Sequence, residues 1–441
     1  MEQYYEVRKW NRKNPVRVTV PGSKSITNRA LMLAAISEKT CVLDGVLFSD
    51  DSRAFLSCLT ELGFHVVVEE EKKRVTIKGE GGKIPNQSAV INVRSAGTAA
   101  RFLTVMLALA GGDYELQSSA QMAKRPMQPL LSVLEQGGVS FEYLGEEGHF
   151  PFRMHAHELH LEQVEIDTSL SSQFASALLM AGCLLPAGFR LRMTGSRTAG
   201  SYIRMTLTMM KQFGIAVKEG DAEIQDGKPA AGVYNIPGKQ RFGLEHYLVE
   251  PDLSGAAYFY SLAVLFGTDV LVYGVHRPSL QGDMRYVELL TKLGARMEDT
   301  EEGLWLRGSG LTHYPGIRVD MKDFSDQTMT FAAVSVFADS VTEIVNIGHI
   351  RFQESDRMSA ILTELTRMGI RCEEMKAEEG IRIYPGEPGA ARIQTYEDHR
   401  MAMAFTLIGM RTGTMVIDNP GCCAKTFENY FDVIDSLYET F

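Results

Sequence analysis

Hydrophobic and polar positions alternate in short paired runs along the chain. Five times an apolar, helix-like segment reaches a glycine and gives way to an alternating run, a charged turn and a second run. The five stretches are LTELGFHVVVEEEKKRVTIKG, LEQGGVSFEYLGEEGHFPFRM, MKQFGIAVKEGDAEIQ, LTKLGARMEDTEEGLWLRG and LTRMGIRCEEMKAEEGIRIYPG. Alternation is the period of a strand with one buried face, so each pair predicts a β-hairpin. The glycines Gly63, Gly138, Gly214, Gly294 and Gly369 stand 75, 76, 80 and 75 residues apart. Each predicts a helix end in the left-handed conformation.

A second series is interleaved with the first. Segments apolar for most of their length follow small polar or charged residues: SKSITNRALMLAA, SAGTAARFLTVMLALA, SSQFASALLMAG, DLSGAAYFYSLAVLF, SDQTMTFAAVSVFA and DHRMAMAFTLIGM. Taking Ser25, Thr98, Gln173, Gly255, Thr328 and Arg400 as markers, the steps are 73, 75, 82, 73 and 72 residues. A helix apolar all round is buried on most sides, and the Ser, Thr, Asp and Gly at these starts are N-cap types. Six helices and five hairpins predict six repeated units. The sixth hairpin is either lost at the C-terminus or completed by an N-terminal strand.

Composition narrows the picture. A chain of 441 residues suits about two domains. With 45 basic and 55 acidic residues the net charge is −10, which argues against a nucleic-acid or anionic-membrane partner. The six cysteines form no CxxC pair and have no histidine at zinc spacing, so no metal site is expected and a reducing cytoplasm is. The opening MEQYYEVRKW has no apolar core of a secretory leader. The longest apolar runs fall short of the ~20 residues of a membrane span.

Against that acidic background, PGSKSITNRA puts Lys24 and Arg29 beside Ser23, Ser25 and Thr27 at the mouth of an apolar helix. A helix N-terminus offers free amide donors and a partial positive charge. Six such starts facing one cleft would make an anion trap, while taken singly each is an ordinary capped core helix. GxxxxGK[ST] is absent, which excludes a phosphate-loop nucleotide enzyme.

Several motifs in order, PGSKSITNRAL, AGTAARFL, AKRPMQPL, SLSSQFASALLM, SDQTMT, QESDRM, YEDHRMAMAF and AKTFENYF, span essentially the whole chain. In them the chain resembles the 5-enolpyruvylshikimate-3-phosphate synthases. The resemblance implies an inside-out α/β barrel fold of two similar domains. Each would hold three βαβαββ units with buried parallel helices, residues 21–241 forming one lobe and 1–20 plus 242–441 the other, with the active site in the cleft. The chain would cross near Pro21 and near Arg241. It also implies a transferase that moves the enolpyruvyl group of phosphoenolpyruvate to the 5-hydroxyl of shikimate 3-phosphate. That enzyme would act without cofactor or metal, as a cytoplasmic monomer.

By the same resemblance, Lys24, Ser25, Arg29, Ser171, Ser172, Gln173, Asp326, His349 and Gln353 bind shikimate 3-phosphate. Lys24, Gly97, Arg125, Gln173, Arg357, Arg400 and Lys425 bind phosphoenolpyruvate. Two ligands that each carry a phosphate and a carboxylate call for Arg forks, compact Lys charges and Ser hydroxyls. Asp326 matches the base for the attacking hydroxyl, and Glu354 the proton donor, with Lys24 as competitor. His399 either bridges ligand and cation or is structural.

Four positions depart from the family's pattern: Ser95 for Asn, Phe102 for Pro, Gln353 for Lys and His349 for Asn. Around GSRTAGSYIRM, Tyr202 matches, while Ser201 is an open match to a second phosphate-binding serine. One rival is the sister transferase that acts on UDP-N-acetylglucosamine, but LQSSAQMAKRPM lacks its cysteine. The other is a non-catalytic paralogue, favoured only by Gln353.

Overall fold

The computed structural model describes residues 4–11, 14–157, 159–195, 200–221, 224–225 and 228–439. They form two compact units, Gly22–Val249 and Met1–Pro21 with Glu250–Phe441. The fold is α/β, with three repeats in each unit.

In Gly22–Val249 the repeats are three four-stranded sheets of the same connectivity. Their strand orders are His246–Leu248, Thr40–Asp44, Arg74–Lys78, Val66–Glu69; Ser88–Asn92, Gly112–Gln117, Phe152–Ala156, Ser140–Tyr143; and Gln163–Asp167, Phe189–Thr194, Gly232–Ile236, Lys218–Glu219. The first two strands of each run parallel and the rest antiparallel. A parallel pair needs a crossover, and helices Lys24–Ile36, Gly97–Ala110 and Ser172–Gly182 precede the second strand of each sheet. Amphipathic helices Asp50–Glu61, Gln128–Gln136 and Gly200–Gln212 follow it.

The second unit repeats the plan. Val16–Val18, Asp269–Tyr273, Gly303–Arg307 and Arg296–Thr300 form one sheet, and Arg318–Asp320, Thr342–Val345, Gly380–Ile383 and Cys372–Met375 another. In the third sheet, Ala391–Ile393 and Met415–Asp418 are parallel, and the hairpin is completed by Tyr4–Glu6 from the N-terminus. The buried helices are Leu253–Phe266, Thr328–Ser335 and His399–Thr412.

The six buried helices begin within two residues of the markers read from the sequence. Their apolar faces leave no outward side: every residue from Leu253 to Leu265 is buried. Hydroxyls inside them bond back to the preceding turn, Thr104 to the Ala100 carbonyl at 2.6 Å, and Ser261, Ser335 and Thr406 to Ala257, Phe331 and Ala402 at 2.7 Å. A polar group is thereby buried without losing its hydrogen bond. All five repeat glycines have positive φ, from 82° at Gly369 to 113° at Gly294.

Neither first strand is local. Val16–Val18 precedes the Lys24 helix in sequence but pairs with Asp269–Tyr273, and His246–Leu248 precedes the Leu253 helix but pairs with Thr40–Asp44. The ladder to Thr40–Asp44 keeps the chain in the first unit through Val249.

Candidate active site

Within Gly22–Val249 the expected binding residues sit near the starts of the three buried helices, except Arg125, which follows the short helix Ala120–Ala123. Ser171 caps its helix, its hydroxyl accepting from the Gln173 amide at 3.2 Å, and the Gln173 side-chain amide donates to the Thr98 hydroxyl at 3.4 Å. The helices starting at Lys24 and Gly97 have no side-chain cap. Lys24 Nζ lies 3.4 Å from Asp51.

Arg29 is deeply buried. Its guanidinium donates to the Thr206 hydroxyl at 2.8 Å, the Ser176 hydroxyl at 3.2 Å and the Ser25 carbonyl at 2.9 Å, and it lies over the rings of Phe102 and Tyr202. It thus ties three helices together through neutral acceptors. Burial pushes it down, to about 10.

Gly97 fixes a second cationic group. A Cβ there would come 2.6 Å from Arg101 Nη1 and 2.9 Å from Arg125 Nη1. The missing side chain lets both guanidiniums close on one helix start. Arg101 is buried, donates to the Gly97 carbonyl at 3.0 Å and lies over Phe174. Burial first, and Arg125 second, push it down to about 9. Among the described residues none of Arg29, Arg101 and Arg125 has a carboxylate partner. A buried cation without one costs several kcal/mol, on the order of the penalty for desolvating an ion. Arg101 was missed by the sequence reading, although its place four residues after Gly97 puts it on the same helix face.

In the other unit the cations are held by acids. Arg357 is buried and donates from Nε to Asp398 at 2.7 Å, from Nη1 to Asp326 at 3.0 Å, and to the Gln353 side-chain oxygen. Arg400 reaches the other Asp326 oxygen at 3.1 Å and the Ser254 hydroxyl at 3.4 Å. The Asp398 carboxylate caps the His399 helix through the Arg400 amide at 2.9 Å. Burial pushes Asp398 up, but Arg357 and the neighbouring His399 outweigh it and hold the carboxyl below its usual range.

Glu354 lies 3.3 Å from His399 Nδ1 and 3.6 Å from Lys425 Nζ, so the predicted proton donor sits between an imidazole and a cation. His349 Nε2 meets the Ser325 hydroxyl at 2.7 Å. Asp283, not singled out by sequence, accepts from Gln327 at 2.7 Å and Ser254 at 3.1 Å. Burial, with the Asp326 charge, raises it. Gln353 acts as an acceptor for Arg357, a role an ammonium could not fill. Ser201 is buried, and the SRTA stretch before it, residues 196–199, lies outside the described residues.

A family model described as EPSP synthase (3-phosphoshikimate 1-carboxyvinyltransferase) matches residues 13–434. The chain is similar to the 3-phosphoshikimate 1-carboxyvinyltransferase of Nostoc punctiforme, at 37% identity over 427 residues that cover 97% of each chain. It is 38% identical to that of Neisseria meningitidis over 434 residues, again 97% of each. Among solved structures, an EPSP synthase from Acinetobacter baumannii covers 99% of this chain and 98% of its own, with a TM-score of 0.80 at 25% identity.

Proposed function

The chain belongs to the EPSP synthase family, and on that premise we propose which of its residues hold the substrates and move the protons. The reaction transfers the enolpyruvyl group of phosphoenolpyruvate to shikimate 3-phosphate and releases phosphate, in the shikimate pathway to aromatic amino acids. Both substrates are polyanions, so the chemistry needs cations not already neutralised.

One observation carries the assignment: Arg29, Arg101 and Arg125 are brought to helix starts with no carboxylate among the described residues. We assign Lys24, Ser25, Arg29, Ser171, Ser172 and Gln173 to shikimate 3-phosphate, and Gly97, Arg101 and Arg125, with Lys24 and Gln173, to phosphoenolpyruvate. Arg357, Arg400 and Lys425 complete the phosphoenolpyruvate set, and Asp326, His349 and Gln353 the shikimate set.

Asp326 then takes the proton of the 5-hydroxyl as its oxygen attacks C2 of phosphoenolpyruvate. Both Asp326 oxygens accept from guanidiniums. Lone pairs held by Arg357 and Arg400 are not offered to a hydroxyl proton. An incoming phosphoenolpyruvate carboxylate competes for those two arginines and releases Asp326 to act, which ties the base to the presence of the second substrate. Glu354, or Lys24 in its place, gives the proton to C3. The ketal carbon then loses phosphate while C3 returns a proton, restoring the double bond.

The enzyme works on these two small molecules as a cytoplasmic monomer, without nucleic acid or membrane. The acidic charge of −10 and six free thiols support that reading. The anion assignment is tested by steady-state kinetics of Arg125→Ala. Loss of a charge-assisted contact of about 1.5–3 kcal/mol raises the KM for phosphoenolpyruvate by roughly tenfold to a hundredfold. The KM for shikimate 3-phosphate changes far less. An unchanged phosphoenolpyruvate KM would contradict the assignment.

A further inference from the structure

Ten histidines are spread over the chain, yet three fall within HAHELH, residues 155–160. His155 is the penultimate residue of the strand Phe152–Ala156 in the second sheet, and Asp113 stands directly opposite it on the neighbouring antiparallel strand. His157, in the bend just past the end of that strand, also comes to Asp113. The His155 Nδ1 lies 2.6 Å, and the His157 Nε2 3.2 Å, from the same Asp113 Oδ1. One ligand atom from each residue lies within 4.8 Å of the others. The three side chains are 46%, 44% and 67% exposed for Asp113, His155 and His157, so metal and water can reach them and the rings can turn.

The nearby cation does not compete for this acid. Arg153, on the same strand, is taken by Glu115 at 3.0 Å and Glu142 at 3.1 Å. Asp113 instead faces two imidazoles.

We propose that Asp113, His155 and His157 form a binding site for a borderline divalent transition cation, with Zn2+ as the type ion. Two imidazoles and one carboxylate are a common zinc donor set, with water in the remaining position. Ligands at about 2.0–2.2 Å from one ion require the three donor atoms to open slightly from their present hydrogen-bonded spacing, which exposed side chains allow. Mg2+ and Ca2+ prefer oxygen donors and are disfavoured. The bound ion links strands Gly112–Gln117 and Phe152–Ala156 across the end of their ladder. The site stands apart from the proposed chemistry, unlike Glu354, Asp398 and His399, which also converge but belong to it.

The test is calorimetric titration of the full chain with Zn2+ and, in parallel, Mg2+. The wild type should take one equivalent of Zn2+ at this site and none of Mg2+. His155→Gln and His157→Gln should each weaken that binding at least about tenfold, as loss of a ligand demands. His246→Gln, an exposed histidine elsewhere, should leave it unchanged. Circular dichroism that superimposes on the wild type shows the variants folded. No Zn2+ binding by the wild type, or equal binding by the His155→Gln/His157→Gln double variant, would overturn the site.

Discussion

Asp326 accepts from two arginines at once, and that pairing decides what its removal does. Asp326→Ala takes away the proposed base but leaves Lys24, Ser25, Arg29, Ser171 and Ser172 in place for shikimate 3-phosphate. Turnover should vanish while calorimetric binding of shikimate 3-phosphate survives within a few-fold, and near-normal turnover would sink the assignment. Asp398 acts differently, because its partner Arg357 is wholly enclosed. Breaking a buried pair from one side costs about 3–5 kcal/mol, so Asp398→Asn should lower stability by that order at pH 7. The Asp398 carboxyl lies below its unfolded value in the folded chain. Its contribution is therefore fully present above the ordinary aspartate range, about 3.9, and is lost as pH falls through the lower folded value. The Asn variant should show a flatter acid limb in thermal unfolding measured from pH 6 downward, and parallel curves would refute the role. Gln353 belongs to the same network. A lysine there would remove the acceptor of one Arg357 N–H and set a cation beside a cation, so the departure from the family's pattern fits the arrangement around Arg357.

Among the elements, the apolar helices and their hairpins were legible because each carries a long periodic signal with a glycine at a fixed place. The three-residue strands were not. Val16–Val18 and His246–Leu248 are too short to show a period, and each pairs with a strand met only after the other's helix. The last hairpin had two readings, and the pairing of Tyr4–Glu6 with Met415–Asp418 settles it. Val7, next in the chain, packs where Gly409 has no side chain; a Cβ there would meet Val7 at 2.6 Å. Deleting residues 1–9 removes that strand and a buried valine worth about 1.5–3 kcal/mol. Hydrogen exchange should then speed up at Met415–Asp418, and the unfolding midpoint should fall. Unchanged protection there would show that the strand adds nothing.

At the scale of the molecule, the residues proposed for the site stand in motifs visible in the sequence, but their folded partners are not visible there. Arg29 reaches Thr206 and Ser176, 177 and 147 residues away, and Arg400 reaches Asp326 across 74. No local pattern records such pairs. What the folded chain adds is a division of charge. In Gly22–Val249, Arg29, Arg101 and Arg125 have no carboxylate partner among the described residues, while the cations of the other unit are engaged by Asp326, Asp398 and Glu354. On the proposed assignment, substrate anions supply the partners that the first set lacks. The most direct test is phosphate release by the purified chain with phosphoenolpyruvate and shikimate 3-phosphate, with UDP-N-acetylglucosamine as the parallel acceptor. Release should require shikimate 3-phosphate and be absent with the nucleotide sugar. Release with the nucleotide sugar alone, or with neither acceptor from folded protein, would contradict the account.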